Sequence, residues 1–470
     1  MKYNSDHDHS LIVLVNEFET MSQEGNVSFL EEQDFAKLIN YYEKEFLFEK
    51  AIEVADYALN QYGFSADFHI RKAQLFLATR KSEQAMSILD KAEVFAPAEL
   101  EIHILRAKIY CAQAHFSEAL RLLQRTKANS NDEDLSDIYL CEAQVHECMK
   151  EYDLMFDSLK KSLIFDPENE EALERVWVCT ELTKKYKESI KFHKKIIDER
   201  PYSFLAWYNL GHAYSCKGDY EKAIEAYEYS IIINEEFELG YRECADLCFQ
   251  TCQYNKALTL YCDAVDLFGP DSDLLANIGE CYLQLNNYKS AQEHFNKASK
   301  LDPYNDEVYF YLGLCHAHED RWLSAINAYF KAIEIEDRRE EYFCNLAIAF
   351  SKVGEFAKAH YYFLKATEIG PEQSSIWKDH AAFLLQIREI DKAMEVLEEA
   401  EYHAVGPELL YSRAACYFSL KQKKKGLEQL RKALMDDISL HQLIFDILPS
   451  LKDDLKVNQL IDYYLKETTL

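Results

Sequence analysis

Residues 204–234 read FLAWYNLGHAYSCKGDYEKAIEAYEYSIIIN, and a related pattern returns about every 34 residues along most of the chain. A fixed period of this length constrains the fold more than any single residue does. Each unit is one supersecondary element that cannot bury its apolar face alone, so neighbouring units must stack. Copies begin at Glu32, Ala66, Leu100, Ser136, Glu170, Phe204, Glu238, Ser272, Asp306, Glu340, Ser374 and Pro407.

The residue types at each position have a physical reason. Numbered from Phe204, position 8 carries Gly211, Gly279 and Gly313, and alanine at Ala73, Ala107, Ala143, Ala245, Ala347, Ala381 and Ala414. Position 20 is alanine from Ala51 to Ala393 in most copies. Small side chains let two helix axes cross at about 8–10 Å. Larger groups such as Tyr282, Phe295, Leu312, Tyr329 and Phe363 fill the space around the crossing. Alanine at position 27, for example Ala298 and Ala332, lets the second helix meet the next unit. Pro97, Pro167, Pro201, Pro303 and Pro371 stand at position 32, where a missing N–H and a steric clash end the second helix. Gly218 and Gly354 mark turns inside the pairs, where positive φ costs glycine little.

Two features break the rhythm. Position 8 is Ile39 in the first copy and Trp177 in the fifth. An indole at the crossing should push the two helices apart or rotate them, which predicts a local irregularity in curvature near residues 170–200. The polar stretch TKANSNDEDLS, residues 126–136, is expected to be a longer loop between the third and fourth copies.

The units match the pattern W-x2-L-G-x2-Y…A-x3-F…A…P at Trp207, Leu210, Gly211, Tyr214, Ala223, Tyr227 and Ser230. The chain therefore resembles the tetratricopeptide repeat (TPR) family over about residues 32–438. It is similar overall to long bacterial proteins built only of such repeats. The resemblance implies an all-α fold: an α-solenoid, a right-handed superhelix of about twelve helix-turn-helix repeats. Residues 1–31 would supply a disordered tail and a capping helix near 10–22. Residues 439–470, broken by Pro449, would cap the other end with Leu443, Ile444, Ile447, Leu455, Leu460, Ile461 and Leu465 as its apolar side.

In that family the first helices line a concave face that takes extended peptides or partner helices. Carried onto this sequence, the partner-binding candidates are Tyr208, Asn209, His212, Arg242, Asp246, Phe249, Asn277, Glu280, Phe310, Tyr311, Leu314 and Asn345. Asn209, Asn277 and Asn345 share one register position, and a primary amide can bond both backbone groups of a peptide. The carboxylate clamp of chaperone-binding members is not reproduced: Asn40 stands at its Asn position, but Ala36 replaces its Lys.

A net charge of −30 repels phosphate backbones and anionic lipid, so neither nucleic acid nor membrane is an expected partner. A protein or peptide with a basic segment is the charge-matched alternative to plain solubility. No apolar run is long enough to cross a bilayer, and the start lacks a signal-peptide pattern, so the expected location is cytoplasmic, with reduced thiols. Phosphate-loop, dinucleotide, zincin and nucleophile-elbow motifs are absent, so no enzyme activity and no cofactor are expected.

Three constellations have bland readings beside sharper ones. Cys244, Cys248 and Cys252 are spaced along one expected helix, but they lack zinc-pair spacing and the first two replace core residues. Asp6, His7, Asp8 and His9 read as a solvated tail before a cation site. Lys421, Lys423, Lys424 and Lys425 read as a charged turn before a patch for an acidic partner. The leading expectation is a non-catalytic scaffold that uses its concave face. The alternative is an assembly subunit that self-associates or packs through its ends or convex face.

Overall fold

The computed structural model describes the backbone of residues 4–23 and 28–468, and the side chains of 11–23 and 28–466. The side chains of the Asp6–His9 quartet lie outside them. All regular structure among the described residues is helical. The chain divides into two compact units, Met1–Gly240 and Tyr241–Leu470.

Unit 1 opens with α1 (Asn4–Gln23), which starts earlier than the expected capping helix. Six pairs follow: α2 and α3 (Glu32–Lys44, Phe48–Gln61), α4 and α5 (Ala66–Ala78, Ser82–Phe95), α6 and α7 (Leu100–Ala112, Phe116–Asn129), α8 and α9 (Asp132–Cys148, Tyr152–Phe165), α10 and α11 (Glu170–Thr183, Tyr186–Glu199), α12 and α13 (Phe204–Lys217, Tyr220–Ile233). The unit boundary falls inside α14 (Glu238–Gln250), whose partner is α15 (Tyr254–Phe268). Unit 2 continues with α16 and α17 (Ser272–Gln284, Tyr288–Leu301), α18 and α19 (Asp306–His318, Trp322–Ile335), α20 and α21 (Glu340–Lys352, Phe356–Ile369), α22 and α23 (Ser374–Gln386, Ile390–His403), α24 and α25 (Pro407–Ser419, Lys423–Asp436). It closes with α26 (Leu443–Ile447) and α27 (Leu455–Thr468). The architecture is an all-α solenoid of helix pairs.

The turns show how firmly the register holds. One residue in each intra-pair turn is left-handed: Phe46, Arg80, Ala114, Lys150, Lys184, Cys252, Asn286, Asp320, Arg388 and Lys421, with Gly218 and Gly354. All stand at position 15. In most turns the next N–H bonds back across the bend, as in Leu47 N to Tyr42 O at 2.8 Å and Asn287 N to Tyr282 O at 2.8 Å. This is a Schellman closure, which satisfies orphan carbonyls at the helix end. Glycine is used at only two of these sites, so the other copies bear the left-handed strain.

In several pairs the residues at positions 8 and 24 complement each other in size. A Cβ on Gly211, Gly279 or Gly313 would collide with the ring of Tyr227, Phe295 or Tyr329. Ala107 and Ala143 face the register of Leu123 and Leu159, and the large Ile39 is matched by Ala55, all fully buried. Close packing makes one methyl group matter at such a crossing.

Trp177 has no small partner, and the fifth pair departs from its neighbours. Helices α10 and α11 meet far less extensively than α8 and α9 or α12 and α13. Among the described residues, the turn at Lys184 alone lacks the wide closure and keeps only Lys184 N to Glu181 O at 3.3 Å. The indole sits half-exposed with its ring 5.4 Å from that of His212. The space near the crossing is filled by a polar cluster, where the Thr180 hydroxyl meets Ser189 Oγ at 3.1 Å and His193 Nδ1 lies 2.9 Å from Ser189 O.

The expected loop at 126–136 is not one. Helix α7 runs to Asn129 and α8 begins at Asp132, so the extra residues lengthen α8 by an N-terminal turn. The Asn131 side chain accepts from Asp134 N at 3.0 Å, and Asp132, Glu133 and Asp134 occupy the first turn. An Asn cap with three acids at the positive end of the helix dipole favours helix where polarity alone suggested coil.

The C-terminal segment buries Ile444, Phe445, Leu451, Val457 and Ile461. Leu455 and Leu465, expected on the apolar side, are exposed instead. Pro449 begins the short 3-10 turn Pro449–Leu451, as its missing N–H allows at a first helical position.

Candidate functional site

The first helices α14, α16, α18 and α20 of unit 2 carry most of the expected binding residues. Arg242, Asp246, Phe249, Asn277, Glu280, Phe310, Tyr311, Leu314 and Asn345 are all partly exposed there. Tyr208, Asn209 and His212 lie on α12 in unit 1.

Two of these expectations need correction. Tyr208 and Asn209 are buried, at 3% and 2% exposure. Tyr208 packs edge-on against Phe237 with centroids 5.2 Å apart. Asn209 donates from Nδ2 to Leu173 O at 2.8 Å, so its amide ties α12 to α10. Family position alone could not show this, because burial depends on how closely the adjacent helix approaches. His212 keeps partial exposure, with Nε2 3.7 Å from the Glu181 carboxylate. Burial lowers its pKa, and Glu181 opposes that shift.

In unit 2 the candidates are braced by partners at neighbouring register positions. Arg242 pairs with Asp271, which also caps α16 by accepting from Leu274 N at 2.7 Å. The Tyr261 hydroxyl donates to Asp246. The Tyr311 hydroxyl donates to Glu280 Oε2 at 3.1 Å, linking α18 to α16. Tyr311 stacks on Phe295 at 5.3 Å, and Phe310 stacks on Tyr342 at 4.7 Å. Phe249 meets Tyr254 edge-on at 5.4 Å. Asn345 donates to Glu341 O of its own helix at 2.9 Å. The bracing partners Asp271, Tyr261 and Tyr342 were not singled out from sequence. The signal was present in the repeat, since Tyr261 stands at position 24 and Asp271 just before a helix start.

Two carboxylates, Asp246 and Glu280, stand beside one guanidinium, Arg242, among these candidates. Burial pushes the Asp246 carboxyl up, against the Tyr261 hydroxyl and Arg242, which lower it. Burial also pushes Glu280 up to about 7; the Tyr311 bond opposes, while Glu307 and Asp246 add to the rise. Glu280 is thus partly protonated in neutral solution, and its ionisation leaves a poorly solvated charge near Glu307 and Asp246. In the unfolded chain it titrates near an ordinary carboxylate value, so its ionisation disfavours the fold above pH 7, and that penalty disappears as pH falls from about 7 to 4.5. Glu280→Gln is therefore expected to raise stability at pH 8 by up to about 3 kcal/mol and to change it little at pH 5. Thermal melts at the two pH values check this.

The cysteines offer no metal set. No group of three or more His, Cys, Asp or Glu side chains converges among the described residues. Cys244 and Cys248 are buried in α14, whereas Cys252 lies beyond the helix end in the left-handed turn. The three thiols therefore do not share one helix, and Cys244 and Cys248 pack in the core. No described helix is long and apolar enough to cross a membrane.

The profile of the cilia and flagella-associated protein 70 C-terminal domain, a TPR domain, matches residues 166–436, more than half of the chain. The chain belongs to this family. All of the candidate residues from Tyr208 to Asn345 lie within the matched span. No curated protein matches the chain. Solved structures similar to it include YrrB, a TPR protein with an unusual peptide-binding site, at 20% identity and TM-score 0.34, over 39% of this chain and 95% of that one. The APC/C hetero-tetramer Cut9–Hcn1 matches at 14% identity and TM-score 0.39, over 96% of this chain and 99% of that one. A tetratricopeptide repeat protein from Parabacteroides merdae matches at 14% identity and TM-score 0.44, over 56% and 98%.

Proposed function

We propose that this TPR protein is a non-catalytic scaffold that holds a protein or peptide against the first-helix face of unit 2. The observation that carries this reading is the run of partly exposed side chains from Arg242 to Asn345 on four successive first helices. Ring stacking and ion pairs hold several of them in fixed rotamers, so less conformational entropy is lost when a ligand arrives. Asn277 and Asn345 offer amides to a peptide backbone, and Leu314 offers an apolar seat between them. Asp246 and Glu280 favour a partner with a basic segment. The family takes its name from cilia and flagella, which makes ciliary and flagellar proteins the first partners to test.

Charge reversal at Arg242 or Asp246 would disturb internal pairs as well as a ligand. The better probe is the triple variant Asn277→Ala, Leu314→Ala and Asn345→Ala. Native pull-down should recover a defined partner with the unmodified chain and about tenfold less with the variant, at unchanged circular dichroism. Equal recovery by both proteins would defeat the reading.

A further inference from the structure

Helices α25 and α27 form the walls of an open groove of about 690 Å³ near the C-terminal end of unit 2. Lys424, Leu427 and Arg431 line one wall, and Lys456, Leu460 and Tyr463 line the other. These are the spacings of one face of each helix, at i, i+3 and i+7 on α25 and at i, i+4 and i+7 on α27. The three cations are exposed, and none has a carboxylate within ion-pairing distance among the described residues. Their neighbours are engaged: Lys423 pairs with Asp454, and Lys425 lies 5.5 Å over the Tyr417 ring. Among the described residues lining the groove the one carboxylate, Glu428, lies 3.7 Å from Lys432. Tyr463 is 56% exposed.

On a chain of net charge −30, a groove with three unpaired cations stands out. We infer that this groove is a docking site for an acidic peptide segment carrying an apolar residue. Lys424 and Arg431 lie about 10 Å apart along one helix, a span that successive carboxylates of a short peptide can bridge. Leu427, Leu460 and Tyr463 between them give an apolar side chain somewhere to sit, and Arg431 can hold a carboxylate in bidentate fashion. Two other occupants fit less well. A second copy would bring two strongly anionic bodies together, and a nucleic acid's long phosphate backbone would run past the three cations onto a chain of net charge −30, which a short peptide does not. The inference is independent of the first-helix face, whose partner would be basic.

The test uses the full chain and a short fluorescein-labelled peptide rich in Glu and Asp with one central Leu, followed by anisotropy. The triple variant Lys424→Glu, Arg431→Glu and Lys456→Glu is expected to weaken binding by about tenfold or more. The control Lys187→Glu, Lys191→Glu and Lys195→Glu makes the same charge change on exposed lysines of α11 and is expected to leave binding within about twofold. Equal loss in both variants would show attraction to bulk charge only and overturn the inference. So would equally tight binding of a single-stranded oligonucleotide of similar length. Self-association of the unmodified chain that is lost in the groove variant would assign the groove to a second copy and overturn it as well.

Discussion

Gly313→Ala is expected to destabilise the α18–α19 pair by about 2 kcal/mol, although alanine is the better helix former by about 1 kcal/mol. The added Cβ would overlap Tyr329 Cε1 and stand 2.5 Å from Cδ1. These are atoms in the body of a ring that is only 1% exposed, so no flexible tip can swing aside. Ala245 and Ala347 do coexist with Tyr261 and Phe363 in their own copies, so a ring can be seated beside a methyl group. The cost is that of displacing a ring already packed. Tyr329→Leu alone should cost about 2–4 kcal/mol through the cavity it leaves. The double variant recreates the Ala and Leu combination of Ala107 with Leu123. Its cost should fall below the sum of the singles by about 1 kcal/mol or more. Hydrogen exchange on α18 and α19 reads the effect locally, which suits a solenoid whose stability is a sum of neighbouring terms. Strict additivity would refute the complementarity of positions 8 and 24.

The second large effect is acid sensitivity. His193 and His380 are fully buried. Burial holds the His193 ring neutral down to about 4, with the Ser189 carbonyl opposing and His212 adding to the shift. Burial does the same for His380 down to about 3, helped by His360, whose Nδ1 lies 2.9 Å from His380 Nε2. One nitrogen of each ring, His193 Nε2 and His380 Nδ1, has no hydrogen-bond partner, so a proton there would find no acceptor. Below pH 6.5 the unfolded chain takes up these protons and the folded chain does not. The stability these neutral rings contribute is complete above pH 6.5 and declines as pH falls towards 4 for His193 and 3 for His380, by about 1.4 kcal/mol per pH unit for each ring. Between pH 7.5 and 5.5 the two rings together should lose about 3 kcal/mol, and Glu280 should return about 2. His380→Leu removes one titrating ring and should reduce the histidine loss by about half. Urea unfolding at the two pH values, compared between variant and unmodified chain, measures that difference. A pH dependence unchanged in both His380→Leu and His193→Leu would show that these rings are not held neutral.

The repeat register was legible because it is local chemistry written many times. Small residues at position 8, proline at position 32 and a turn between them locate each helix pair without knowledge of its neighbours. The 126–136 segment misled because polarity describes a surface and not a conformation, whereas the Asn131 cap and the acids behind it specify a helix start. The twelve candidate residues were legible as register positions but not as free groups. Tyr208 and Asn209 share their register positions with exposed residues of other copies, yet both are buried.

By itself the sequence determined the all-α class, the pairing of helices and the turns inside the pairs, because these depend on side-chain size, capping and proline within one repeat. The tertiary structure alone decided which first-helix residues remain exposed, which carboxylates are pushed up, and which lysines are left without a counter-ion. Each of these is set by what the next helix brings within a few ångströms, and a residue's own repeat does not encode that distance.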